Sequence, residues 1–340
     1  MHSTSRRLLL CVVVLALAAA GCSRAKSNED APLRPRVQEK IVHPLTGVES
    51  TGSQPWQNRP ALAVKIGNAA PERPQAGLDK ADLTYEEIVE GGATRFMAIF
   101  STNDPGRVGP VRSARKVDPT LLVPLNPLFG YSGGAPSTIR VLQSASGFTD
   151  VGINRASSAY HRDSNRRSPY NLYTSTTELW SGRTGALPKV HFSFLKSSED
   201  PGAGSQEAAD NVRLSFAGNG SEIHYAYDTV SGVYGRNIGG SPQMAEGDVP
   251  LKYRNVVVPS VEISAGYSID KAGFRTFDIK TTGAGSLVLF RGGKAFRGTW
   301  ERASDADPWK FVDESGQVIR LAPGNTIIEL LPQGRPVTVG

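Results

Sequence analysis

Apolar residues follow three regimes along this chain. An unbroken apolar run from Leu8 to Ala20 follows Arg6 and Arg7 and ends in Ala19-Ala20-Gly21-Cys22. From Ser23 to about Pro55 the chain is polar and Pro-rich, with no sustained apolar period. Beyond that, short apolar or alternating runs recur between Gly, Pro, Asn and Asp, as strands between turns should. Arg59-Pro-Ala-Leu-Ala-Val-Lys-Ile66, Leu83 to Val89, Thr94 to Phe100 and Leu128 to Tyr131 read as strands. Helix-like pieces at 75–82, 111–122 and 137–144 lie between them. Strands interleaved with helices predict an α/β sandwich of mixed strand direction.

The Gly-, Ser- and Pro-rich stretch 197–205 is the best internal boundary. After it, 212–216, 222–227, 255–263, 274–279, 286–290, 294–300, 317–321 and 326–331 are strand-like runs with no helical period, which predicts an antiparallel all-β domain. The expected fold class is therefore α+β, an N-terminal mixed α/β sandwich followed by a C-terminal antiparallel all-β domain. The expected organisation is a leader at 1–21, a flexible tether at 22–55, an N-terminal domain at 56–198, a linker at 199–210 and a C-terminal domain at 211–335. Within the tether, His43-Pro-Leu-Thr-Gly47 reads as a turn docked on the body.

The N-terminal run is too short for a spanning helix, which needs about 20 apolar residues, and its positive start and small residues before the cut fit an export signal. Ala-Ala-Gly-Cys resembles the bacterial lipobox, so Cys22 is the expected lipidation site. Two or more acyl chains anchor stably, at about 0.8 kcal/mol per buried methylene. The expected location is the cell membrane, with the body outside the cytoplasm. Cys11 leaves with the leader and Cys22 is lipidated, which excludes disulfides, a cysteine nucleophile and thiolate metal sites. The net charge of +6 in 340 residues, lower by two once Arg6 and Arg7 are removed, is modest and mixed in sign along the chain. It gives no basis for nucleic-acid binding.

Chemistry-bearing side chains concentrate at Glu86, Glu90, Arg95, Arg112, Arg115, His161, Arg162, Asp163 and Asn171, with Glu87 and Arg166 nearby. In a strand, Thr84, Glu86 and Ile88, with Glu90 beyond, share one face while Tyr85 and Glu87 point the other way. Carboxylates and arginines meeting there make either a buried ion-pair network or a cleft for acid/base work and anion binding. Tyr160-His-Arg-Asp-Ser-Asn-Arg-Arg167 is either an anion-contacting segment or a solvated basic loop. His43, His161, His191 and His224 are scattered, so no metal is expected, and no phosphate loop or G-x-S-x-G elbow calls for a cofactor or serine triad. Tyr225, Tyr227, Tyr234, Trp300 and Trp309 read mainly as core, with Gly232 to Gly240, including Tyr234 and Arg236, as their exposed part.

Pro44-Leu-Thr-Gly47, Arg59-Pro-Ala-Leu-Ala-Val, Arg73-Pro-Gln-Ala-Gly-Leu-Asp-Lys-Ala-Asp82, Tyr85-Glu-Glu-Ile-Val-Glu-Gly-Gly92, Thr94-Arg-Phe-Met-Ala-Ile-Phe100, Gly109-Pro-Val-Arg-Ser-Ala-Arg115 and Pro169-Tyr-Asn-Leu-Tyr173 together resemble the YerB family of bacterial lipoproteins. The resemblance runs from about residue 43 to the end and includes Tyr227-Asp228, Asn255-Val-Val-Val258 and Gly298-Thr-Trp300. The family pattern usually has His where Tyr170 stands, so no role of that imidazole carries over. The resemblance implies architecture and location, and no reaction. Two functional readings follow: an envelope module binding cell-wall polymer or a partner protein, or a peptidoglycan hydrolase using Glu86 or Glu90 as acid/base. They differ in geometry. A hydrolase needs two carboxylates in an open cleft within about 5 to 10 Å, whereas a scaffold has them paired and closed to water.

Overall fold

A computed structural model describes residues 40–189, 192–205, 207–217, 222–269 and 273–340. The leader, Cys22, the first part of the tether and His191 lie outside the described residues.

Leu62–Gly67 and Leu83–Ile88 are buried along their whole length and Thr94–Phe100 from Phe96 onward, as strands covered on both faces should be. They stand inside a mixed 12-stranded sheet whose main path runs Lys310–Val312, Lys294–Arg302, Gly283–Arg291, Asn255–Ile269, Thr326–Glu329, Leu83–Ile88, Thr94–Phe100, Leu62–Gly67, Leu128–Gly130 and Thr149–Asp150. The decisive junction is Thr326–Glu329. It pairs in parallel with Asn255–Ile269 on one side and with Leu83–Ile88 on the other. Asn255 secures the base of this junction, its amide exchanging hydrogen bonds of 2.9 and 2.8 Å with the Ala322 backbone.

Two cores flank the sheet. On one face, Leu62, Val64, Ile66, Phe96 and Ala98 pack with Tyr225, Tyr234 and Tyr253 of a separate six-stranded sheet and with Tyr160 and Leu172 of a three-stranded one. On the other face, Ala63, Tyr85, Met97 and Ile99 pack under the helices Asp118–Leu122 and Pro136–Ser144 and beside Trp300, Trp309 and Phe311.

Several expectations are corrected by this arrangement. The C-terminal half is not wholly antiparallel, because its Thr326–Glu329 strand joins the N-terminal strands in parallel. The helix expected at 75–82 shrinks to one turn, Leu78–Lys80, and that expected at 111–122 to Asp118–Leu122. Residues 109–114 instead spend their backbone groups on neighbouring chains: Arg112 N–H donates to Lys65 and Ala114 N–H to Gly133. Residues 317–321 form isolated bridges, Val318 with Val312 and Leu321 with Phe194, rather than a strand. The stretch taken as linker is docked: Ala209 is fully buried, and Glu199 pairs with Arg320 at 2.7 Å. Tether behaviour was expected to Pro55, yet Lys40–Val42 and Glu49–Thr51 pair as a hairpin.

The His43 turn is docked as expected. Leu45 and His43 are buried, and Gly47, at φ +65°, brings the backbone against the Phe194 ring where a Cβ would collide. Leu45 N–H donates to His43 Nδ1 at 3.3 Å, so the ring proton sits on Nε2 and is donated to Ser101 Oγ at 3.0 Å. This tautomer cannot take a proton from Ser101 through Nε2. Burial pushes the imidazole down to about 4. A native state that keeps His43 neutral while the unfolded chain protonates it near 6.5 loses stability as pH falls. Thermal unfolding followed from pH 7 to pH 4 should show a decline of which His43→Gln removes up to about 3 kcal/mol; parallel curves for the two proteins would refute this origin.

Candidate functional site

The alternation expected along Leu83–Ile88 is realised, and it sends Glu86 and Glu87 to opposite sides of the sheet. Both are fully buried. Glu86 accepts from Asn68 at 2.8 Å, Thr94 at 2.5 Å and the Arg236 guanidinium at 2.5 Å. Arg236 comes from Val233–Ile238 of the six-stranded sheet and also donates to the Tyr225 hydroxyl at 3.1 Å and to Gln243. Gln243 in turn donates to Asn68 at 2.9 Å and Gln75 at 3.2 Å. Glu329 stands beside Glu86 in the parallel pair and accepts from Tyr225. Burial and the Glu86 charge hold its carboxyl well above the usual range. Arg236 Nε also lies 3.8 Å from Glu329, so one guanidinium faces both acids.

On the opposite side, Lys65 donates to Glu87 at 2.6 Å and to Asp118 at 3.0 Å, all three out of contact with water. Two acids here share one ammonium. Burial pushes Glu87 up to about 7, opposed by Lys65 and reinforced by Asp118. Lys65 carries the signal that could have exposed this network, being a charge inside the apolar run Ala61 to Ile66.

The remaining candidates form two further groups. Glu90 lies past the strand end and pairs with Arg115. Arg115 and Arg95 converge on the Ser113 carbonyl, at 3.3 and 2.9 Å. Arg112 places Nε 2.8 Å from Glu72, near enough for an ion pair but off the hydrogen-bond direction, and its Nη1 donates to Pro169 at 3.1 Å. Its guanidinium also faces the Tyr170 ring at 5.5 Å. Burial, then the charges of Arg115 and Arg112, bring Arg95 down to about 9.

The fourth group is the 160–171 segment. Asp163 pairs with Arg107 at 2.6 Å, and the Asn165 N–H together with Arg107 holds its carboxyl below the ordinary range. Arg162 donates to Asn171 at 2.8 Å, Asn171 donates to the Asp163 carbonyl at 3.1 Å, and Arg166 donates to Arg73 at 2.7 Å. His161 is exposed and stacks on Tyr173, ring centroids 6.3 Å apart. Its polar groups mostly order the loop itself.

The single constellation expected from sequence is thus four groups, those of Glu86, of Glu87, of Glu90 with the three arginines, and of the 160–171 segment. Of the two arrangements expected, Glu86 takes the buried ion-pair network rather than the cleft, and Glu90 is paired with Arg115. Tyr234 and Arg236, expected as exposed, are buried. A groove of about 760 Å³ lined by Phe296 and Val318 holds five further carboxylates: Glu199 and Glu207 pair with Arg320 and Arg297, while Asp200, Asp313 and Glu314 have no ion-pair partner among the described residues.

Residues 45–189 match the N-terminal domain, and residues 212–328 the C-terminal domain, of a family described as protein of unknown function (DUF3048). The chain belongs to the DUF3048 family. A relative named "Putative lipoprotein YerB" in Bacillus subtilis (strain 168) is 30% identical over 308 residues, covering 88% of each chain. The crystal structure of YerB protein from Bacillus subtilis superposes with a TM-score of 0.74 at 26% identity, over 88% of this chain and 100% of that one. In this DUF3048 chain the Thr326–Glu329 strand of the C-terminal domain region pairs directly with the N-terminal region, through the strand that carries Glu86. Among the described residues no helix is long and apolar enough to cross a membrane.

Removing one partner of a buried ion pair costs about 3–5 kcal/mol, because the other is left as an uncompensated charge. Arg236→Met should therefore lower unfolding free energy by about that amount in urea titration, and Glu86→Gln combined with it should recover much of the loss. Additive losses in the double variant would show that the pair is not coupled.

Proposed function

We propose that this chain is a lipoprotein anchored through acyl chains on Cys22, with its body outside the cytoplasm as a non-catalytic module that binds or positions cell-envelope material. The observation that supports this reading is the state of the carboxylates. Glu86, Glu87 and Glu329 are enclosed, and Glu90 is held by Arg115. Acid/base hydrolysis needs a proton donor and a carboxylate within reach of the same glycosidic oxygen and water. Enclosed and paired carboxylates cannot serve both. The similarity to a protein named as a lipoprotein agrees with the leader and with Ala19-Ala20-Gly21-Cys22.

The anchor and the module are tested separately. Labelled fatty acid should be incorporated into the full-length protein in a bacterial host and be absent from Cys22→Ala; label retained in that variant would disprove anchoring through Cys22. Mixed with purified peptidoglycan sacculi, the detergent-solubilised protein should sediment with them and release no soluble fragments. Glu90→Gln should melt at lower temperature without changing that result. Fragment release by the parent protein that Glu90→Gln abolishes would make the hydrolase reading correct instead.

A further inference from the structure

We propose that Arg95, Arg112 and Arg115 form an anion site that takes a phosphate or phosphodiester group; this rests on the envelope-module reading and names the chemistry its body recognises. The Arg95 and Arg115 guanidinium groups meet at the Ser113 carbonyl, with Arg112 close enough for its charge to act on Arg95, and two carboxylates answer them, Glu72 for Arg112 and Glu90 for Arg115. Among the described residues no carboxylate lies within ion-pair distance of Arg95, whose hydrogen bond goes to Ser113. The three arginines thus carry one positive charge more than the two carboxylates paired with them. Charges of like sign brought together and partly withdrawn from water are costly unless an anion neutralises them. The lowering of Arg95 by burial and by its two neighbours reports the same cost.

The cluster is open enough to be reached. The Arg112 and Arg115 side chains keep 21% and 13% of their exposure. Beside them the Ser132-Gly133-Gly134 turn accepts the Ala114 N–H at Gly133 and donates Ser132 N–H to Arg112. Gly133 sits at φ +126° with empty space where a side chain would stand, leaving that flank unobstructed. Planar guanidinium forks match the oxygens of phosphate in pairs, and several forks around one centre suit a tetrahedral dianion or a diester better than a single carboxylate. The same chemistry is offered by phosphodiester polymers of the cell wall and by phospholipid headgroups.

The test uses full-length protein in detergent and calorimetric titration with inorganic pyrophosphate, poly(glycerol phosphate), and vesicles of phosphatidylglycerol against phosphatidylcholine. Binding of pyrophosphate that Arg95→Lys and Arg112→Gln each weaken at least tenfold, with Arg297→Gln unchanged, is the expected result. Arg95→Lys retains the charge and loses the fork, so its melting temperature should stay near the parent's. Polymer binding alone assigns the wall source, and vesicle binding alone assigns the lipid source. No binding of any probe by the parent protein, or equal binding by the arginine variants, overturns the proposal. Sacculi sedimentation unchanged in Arg95→Lys would sink this site while leaving the envelope-module reading intact; absence of sedimentation and of lipid label would sink that reading itself.

Discussion

Arg236 carries a full charge with none of its side chain exposed, and the small sheet that bears it can pack only where that charge is met. Glu86 meets it from the centre of the large sheet, with Asn68, Gln75 and Gln243 closing the ring of amides around it. The attraction between buried charges repays desolvation only when every remaining donor and acceptor is satisfied. That requirement makes the network a constraint on register more than a source of net stability. A slip of one residue in Leu83–Ile88 would aim Glu87 at Arg236 and Glu86 at Lys65, leaving neither set of amides placed to receive them.

Glu329 extends the constraint along the sheet. Its carboxyl, held well above the usual range by burial and by Glu86, stands with Glu86 against one guanidinium, and it lies on the strand that splices the two halves of the chain together. Covalent order places that strand last among the long ones. The N-terminal strands therefore depend for one of their edges on residues more than 200 positions away. The Lys65, Glu87 and Asp118 set plays a similar part on the opposite face, fastening the start of the Asp118–Leu122 helix to the sheet.

These commitments take the acids between Glu86 and Glu90 out of play and direct attention to Arg95, Arg112 and Arg115, which outnumber the carboxylates paired with them. Arg95 occupies a strand position directly across from Glu87. The strand pairing that sets Glu87 against Lys65 therefore also sets Arg95 beside the loop of Arg112 and Arg115. The structural pairing and the proposed binding surface thus arise from the same face of one sheet.

Much of the local structure was legible in the sequence because it depends on neighbouring residues. Apolar runs bounded by Gly and Pro located most strands, and the small polar turn at His43 announced itself against a featureless tether. Period also separated Glu86 from Glu87, since side chains alternate along any strand. The proposed export signal and Cys22 anchor rest on the order of residues from Arg6 to Cys22. Tertiary structure decided what these charges do. Arg236 and Glu86 are 150 residues apart, so neither the partner nor the burial of either could be read from surrounding residues. Val233–Ile238 is rich in Gly, Asn and Arg and looks solvent-facing by local pattern. Its Tyr234 and Arg236 are buried because the large sheet covers that one face. The merging of two expected domains into a single sheet was hidden for the same reason: strand pairing is satisfied by backbone groups, which every residue but proline supplies alike.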